Sequence, residues 1–327
     1  MAAQSYKFKN LVFEGGGVKG IAYAGALEFL EKNKILENIQ RVGGTSAGAI
    51  TAALLAVGFS SQEIKNELEK ANFNTFKDDS FFLINIFRLL SRYGWYKGNS
   101  FEKWLKKTIS KKVKSDITFS ELYNLKGKNK TKELHIIGTD INYKTHVILS
   151  HETVPDMSIV DAVRISMSIP LFFQAIKYKK SLYVDGGVYY NYPINLFDKI
   201  KYLSENKTIS QDEAYIYNKE TLGFRVDDPE EINNQIKKEP LPSLEVNSLQ
   251  SYIQALIGGL IDFANKTHLN EEDWHRTIYI KSLGISSTEF EITKEQKNQL
   301  IKSGLEGAKT YFNWFDKTKG DNRPLNK

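Results

Sequence analysis

Cysteine is absent from the 327-residue chain, which excludes disulfides and thiolate-bound metals and leaves the redox compartment open. Long apolar runs are missing as well. The longest, "AITAALLAVGF" and "ALIGGLIDF", fall short of the roughly 20 residues that a membrane-crossing helix takes. The opening "MAAQSYKFKN" leads straight into a strand-like "LVFEGGG", without the apolar segment of a signal peptide. These absences predict a soluble, cytoplasmic chain, with peripheral membrane association and non-Sec secretion as an effector left open. No zinc-finger, RNA-recognition or basic-zipper pattern occurs, so nucleic acid is not an expected partner. The net charge of +6 and a pI near 9.0 suit an anionic membrane surface, and equally suit solubility alone.

What is present is ordinary globular composition, 41% hydrophobic and 26% charged, over a length that one large α/β domain or two small ones could fill. "KFKNLVFEGGG" reads as a short apolar strand ending on three glycines. "VKGIAYAGALEFLEKN" then reads as a helix with Ile21, Ala24, Leu27 and Leu30 toward one face. "IQRVGGTSAGAITAALLAV" repeats strand, glycine turn and helix, the helix starting near Ala47 and stopping at Gly58. Strands follow at "ELHIIGTDI" and "THVILS", then a helix in "IVDAVRISMSIPLFF" that breaks before Pro170. "SLYVDGGVYYNYPI" is strand, glycine turn and loop. "TLGFRVD" and "TIYIKS" are further strands, with the helix-like "LQSYIQALIGGLIDFANKTHL" between them. The polar 204–243 region reads as irregular surface. Strands alternating with helices predict a mainly parallel central sheet covered on both faces, in a single domain over 1–327.

The pentapeptide Gly44-Thr45-Ser46-Ala47-Gly48 sits between a strand and an alanine-rich helix. A serine there occupies a strained turn, small neighbours let the chain approach itself, and the hydroxyl projects beside a helix N-terminus. By itself the motif reads equally as a plain tight turn. "EGGGVKG", 14–20, fits Gly-x-Gly-x-x-Gly, yet the acidic residue that a dinucleotide site needs about 20 positions on is replaced by Gln40 and Arg41. A phosphate-binding P-loop fails too, because no Gly-Lys-Ser/Thr follows. Successive glycines expose backbone N–H groups that can hold the oxyanion of an acyl-transfer intermediate, which makes Gly15, Gly16, Gly17 and Val18 the candidate donors.

The proton acceptor is the open question. His268 and His275 lie late enough in the chain for a hydrolase triad, but in polar surroundings. Asp185, in "YVDGGVYYNYP", ends a strand before Gly186 and Gly187, and a carboxylate within reach of a serine can act as its general base. Alone, Asp-Gly-Gly is merely a turn.

Together, "GGGVKG" (15–20), "GTSAG" (44–48) and "DGG" (185–187), in this order, resemble the signature of patatin-like phospholipases. "RISMSIPLFF" and "NYP" (191–193) support the likeness. Lys19 stands where many members carry arginine, and Tyr192 replaces the second asparagine of Asn-Asn-Pro. The resemblance is clear over about 8–200, with about 220–315 completing or capping the domain. It implies an α/β/α sandwich in which Ser46 is the nucleophile and Asp185 the base of a Ser-Asp dyad. It further implies an oxyanion hole in the 15–20 loop that includes Gly20, no cofactor, no metal, and a phospholipid or lysophospholipid substrate. An acyltransferase with the same dyad and a non-catalytic lipid-binding module of the same fold are the alternatives.

A lipid enzyme also needs to meet its substrate's surface. Phe101, Trp104, Leu105 and Ile109 share a helical face, with Lys103, Lys106 and Lys107 around it. This stripe predicts either an interfacial helix, making 80–107 part of a lid or docking surface, or a helix packed on the core.

Overall fold

Asn10–Phe13 (β1) is an apolar run buried at every position, as a central parallel strand requires. The computed structural model describes residues 6–78, 82–203, 214–227, 271–287 and 289–318, with 245–247, 251–252, 255–256, 258–260 and 320. After β1, a short 3-10 turn (Gly17–Ala22) leads into α1 (Tyr23–Lys32). Then come β2 (Arg41–Thr45), α2 (Ala47–Ala56), α3 (Ser61–Lys70), α4 (Phe82–Arg92), β3 (Gly94–Tyr96), α5 (Asn99–Ile109) and α6 (Phe119–Asn124). β4 (Glu133–Asp140), β5 (Thr145–Leu149), α7 (Ile159–Ser166), β6 (Leu171–Phe173), β7 (Ile176–Tyr178), β8 (Ser181–Asp185) and α8 (Gly187–Tyr190) follow. β9 (Thr221–Asp227), β10 (Thr277–Lys281) and a last helix, α9 (Lys294–Thr318), close the described chain.

The main sheet runs β10-β9-β1-β2-β4-β8-β7, with β5 on β4. β10, β9, β1, β2 and β4 are mutually parallel; β5, β8 and β7 are antiparallel additions. Side-chain alternation along β1 shows the layers. Leu11 and Phe13 enter a large core with α1, α2, α7 and α9, while Val12 faces Ile137, Tyr190, Leu196, Phe197 and Tyr202 on the opposite side. α2 is apolar all round and buried at every residue, which marks it as the central helix of its layer. Among the described residues, no helix is long and apolar enough to cross a membrane.

The strands expected in "TLGFRVD" and "TIYIKS" are β9 and β10. The described residues of the expected helix between them, 251–252, 255–256 and 258–260, are helical. Most of the polar 204–243 stretch lies outside the described residues, as does His268. The short strands β3, β6 and β7 have no counterpart in the sequence reading; three-residue ladders carry too little periodicity to register.

Of the two readings of the α5 stripe, packing on the core is the one the structure shows. Phe101 is 1% exposed, Leu105 and Ile109 are equally buried, and Trp104 packs on Phe76 and Phe101 at ring separations of 5.3 and 5.9 Å. The stripe of α5 therefore faces the core, with Phe101 buried and Trp104 partly buried against it. Lys106 pairs with Glu102 at 2.7 Å on the outer side, and Lys107 stands exposed there.

Candidate active site

β2 ends at Thr45 and α2 begins at Ala47, so Ser46 makes the whole turn, at φ 52° and ψ −121°. A positive φ on a serine is strained backbone, and the surroundings hold it in place. Its amide donates to Ser166 Oγ at 2.8 Å, and Ser166 Oγ donates in turn to the Ile137 carbonyl at 2.5 Å. Thr45 Oγ1 is tied to the Tyr190 carbonyl at 3.0 Å. Gly48 lets α2 come against the end of β1, because any side chain there would collide with the Phe13 carbonyl. Ser46 itself is 5% exposed, and its hydroxyl lies 3.9 Å from the sulfur of Met167.

The route by which Asp185 reaches Ser46 is topological. β2 pairs with β4 only as far as Thr45↔Ile137, and β5 covers the other edge of β4 over Ile136–Asp140. β8 pairs with Gly138–Asp140, so it must take the edge that β2 vacates, and it runs the opposite way. The two strands abut end to end along β4, which sets Asp185, opposite Gly138, next to the serine turn. The carboxylate is thus brought to the serine by an antiparallel strand approaching from the far side, not by one of the parallel strands that the sequence pattern predicts.

Asp185 is buried, and its Oδ1 accepts the Gly187 N–H at 2.7 Å. Burial pushes its carboxyl up to about 7, against the Gly187 N–H and the Ser46 hydroxyl, which both favour the charged form. Ser46 thus stands close enough to be felt, yet no hydrogen bond of ordinary geometry joins the two side chains. Asp185 Oδ2 is left without a partner among the described residues.

The glycine loop lies directly on this pair. A side chain at Gly15 would stand 3.2 Å from Ser46 Cβ, and one at Gly20 would meet the Ala47 methyl at 2.7 Å. Of the four expected donors, two are already engaged: Gly15 N–H donates to the Asn191 carbonyl at 3.0 Å and Val18 N–H to the Ser287 carbonyl at 3.0 Å. The amides of Gly16 and Gly17 have no partner among the described residues. Gly17 sits at φ +54°, and a side chain there would strike Ser287.

Behind the loop is a buried ionic cluster that the sequence reading missed. Asn191 Nδ2 donates to both Glu14 Oε1 and the Gly15 carbonyl at 3.2 Å. Arg225 Nε lies 3.3 Å from Glu14 and 2.5 Å from Asp227. Burial and the Asp227 carboxylate push Glu14 up to about 8, against the pull of Arg225. Tyr23 donates to the Glu14 carbonyl at 2.7 Å. The available signal was a charge amid the apolar run "TLGFRVD".

No histidine hydrogen-bonds to Ser46 or Asp185 among the described residues. His275 precedes β10, at the amino end of the parallel strands, and stacks on Trp314. One described cluster could hold a metal ion, Glu133, His151 and Glu152, with ligand atoms within 4.8 Å of one another. Glu133 is already engaged by Lys126 at 2.7 Å, His135 at 3.0 Å and Arg41 at 3.6 Å, at the far end of β4 from Ser46.

The patatin-like phospholipase family model matches residues 11–198, a span that takes in Ser46, Asp185 and the glycine loop. The uncharacterized protein YqhO of Bacillus subtilis (strain 168) is 32% identical over 308 residues, covering 90% of this chain and 94% of that one. A probable lipid hydrolase, 463L, of Invertebrate iridescent virus 6 is 33% identical over 201 residues, 60% of this chain and 64% of that one. Among solved structures, VipD of Legionella pneumophila aligns with a TM-score of 0.58 at 18% identity, over 94% of this chain and 67% of that one. The type III effector ExoU aligns at 0.51 and 16%, over 97% of this chain and 54% of that one. Motif order, the α/β architecture and a match across more than half the chain agree, and the chain belongs to the patatin-like phospholipase family.

Proposed function

We propose that this protein is a lipid acyl hydrolase of the phospholipase A or lysophospholipase type, working through a Ser46–Asp185 dyad without a metal. The observation that carries the reading is the meeting of a strained, buried serine with a buried carboxylate whose second oxygen has no partner among the described residues. Asp185 Oδ2 accepts the hydroxyl proton as Ser46 Oγ attacks the ester carbonyl carbon. The amides of Gly16 and Gly17 take the charge of the tetrahedral oxyanion. Collapse breaks the ester C–O bond, and the departing alcohol carries off the proton held by Asp185. Water, losing a proton to the same carboxylate, then attacks the acyl-serine; the acyl C–Oγ bond breaks, Ser46 Oγ takes the proton back from Asp185, and the fatty acid leaves. A carboxyl raised to about 7 is a stronger base than an ordinary aspartate, and it acts in the fraction that is unprotonated.

The direct test is release of free fatty acid from mixed phospholipid liposomes in the presence of EDTA, together with labelling of Ser46 by a fluorophosphonate. Both are expected of the wild type; a protein that neither labels nor hydrolyses would be a binding module. Appearance of acylated alcohol in place of fatty acid, when an alcohol is supplied, would make the enzyme an acyltransferase.

Hydrolysis is also expected to rise with pH through about 7 and level off above it, since Asp185 must be unprotonated to act. A pH profile of kcat/KM reads this directly. Gly17→Ala is expected to lower kcat by about 10²-fold with little change in KM, because the loop must shift to admit the methyl and its donors lose their aim.

A further inference from the structure

α4 is amphipathic the wrong way round for a helix on a protein core. Its inward side carries Asn85 and Arg88, both buried, with Arg88 Nη1 donating to Asn85 Oδ1 at 2.9 Å and to the Trp95 carbonyl. Its outward side carries Ile84, Phe87 and Leu90, at three-residue spacing, with Phe87 72% and Leu90 74% exposed. Tyr93, just beyond the helix, extends the same exposed apolar surface. Three large apolar side chains on one exposed helix face mark a surface built to be covered.

The charges around this face say what covers it. Residues 82–101 contain no aspartate or glutamate, and neither do 171–184. The two segments adjoin: the Arg92 carbonyl accepts the Ala175 N–H at 3.1 Å, and β3 pairs with β6. The hairpin of β7 and β8 that follows Ala175 presents Lys177, Lys179 and Lys180, all exposed. Against α4 lies a concavity of about 400 Å³, walled by Ile84, Phe87, Arg92, Lys97, Asn99 and Gln174. No carboxylate lines it. The flanking Asp78 and Glu102 are held by Ser100 and Lys106. Exposed aliphatic and aromatic groups beside cations that have no ion-pair partner among the described residues fit the boundary between acyl chains and anionic headgroups.

We propose that the outer face of α4 and the lysines of the β7–β8 hairpin form a docking surface for an anionic phospholipid bilayer. The surface serves the hydrolytic role proposed above and rests on it. It also abuts the active site through the chain, since Met167, against Ser46, is followed by β6, which ladders with β3 just after α4. Phe87 and Leu90 enter the acyl region, while Lys177, Lys179, Lys180, Arg92 and Lys97 meet phosphates.

The test is cosedimentation with vesicles of phosphatidylcholine and phosphatidylglycerol, on Ser46→Ala protein so that binding is read apart from turnover. Binding is expected to weaken with salt. It is expected to fall by about tenfold or more both in Phe87→Asp/Leu90→Asp and in Lys177→Glu/Lys179→Glu/Lys180→Glu, with melting temperatures unchanged. Lys103→Glu/Lys107→Glu, on the outer side of α5, is expected to bind as before. The proposal is overturned by an absence of binding, by equal binding to pure phosphatidylcholine, or by either α4 or hairpin variant binding at full strength. A solution dimer that Phe87→Asp dissolves would give the face to a second copy and overturn it as well. Failure of the Ser46 chemistry shows instead in fatty acid release, which this assay does not measure.

Discussion

Fatty acid release is expected to drop by about 10⁴-fold or more in Ser46→Ala, and by a similar factor in Asp185→Asn. The two side chains act as one unit: without the hydroxyl there is nothing to acylate, and without the carboxylate nothing takes its proton. The double variant is accordingly expected to be no worse than either single one. Asp185→Asn is the more telling change. It keeps the size of the side chain and the acceptor facing Gly187 N–H, so the turn at Gly186–Gly187 can persist while the base is gone. Labelling by a fluorophosphonate should slow in this variant in parallel with hydrolysis, since both need the proton removed. His275→Ala is expected to retain full activity, given its place beside Trp314 at the other end of the parallel strands. A folded His275 variant without activity would replace the dyad by a triad. Full activity in Asp185→Asn would remove Asp185 from the chemistry altogether.

The parts of the site that were legible are those written in a few consecutive residues. Gly44–Gly48 states its strand-to-helix turn locally, because only small residues fit where Gly48 meets the Phe13 carbonyl. Asp185 was legible as a carboxylate ending a strand. Its direction of approach was not, because that depends on which edge of β4 is left free, a fact about four strands at once. Similarly, spacing shows that α5 and α4 each have an apolar side and not where that side points. α5 buries Phe101 and Leu105 as a core helix should, whereas α4 spends its inward side on Asn85 and Arg88. The glycine loop is legible as a segment, but which of its amides are engaged depends on partners far away in sequence, Asn191 and Ser287. Asn191 had been read only as part of a motif. Its side chain ties Gly15 to Glu14, and so links the loop to the Arg225 cluster.

The same buried carboxyl predicts an effect on folding that needs no substrate. An aspartate pushed from 3.8 to about 7 by burial costs the folded protein about 4 kcal/mol once it is ionised. The sign follows from proton binding. Between about pH 4 and 7 the folded state holds this proton and the unfolded chain has released it, so the favourable contribution of the neutral form is lost as pH rises through 7. Asp185→Asn does not titrate. The stability of the variant relative to wild type is therefore expected to improve by about 4 kcal/mol from pH 4 to pH 8, measured as denaturant unfolding at each pH. Only the slope is diagnostic. The offset at low pH includes a new amide group where Oδ2 had no partner among the described residues, and a buried donor left unsatisfied costs about 1–3 kcal/mol by itself. Glu14 and the other titrating groups are common to both proteins and cancel in the difference. A flat difference would mean that Asp185 ionises near the ordinary aspartate value, and the rise in hydrolysis should then lie well below pH 7 too. Stability and turnover report one ionisation, so each assay checks the other.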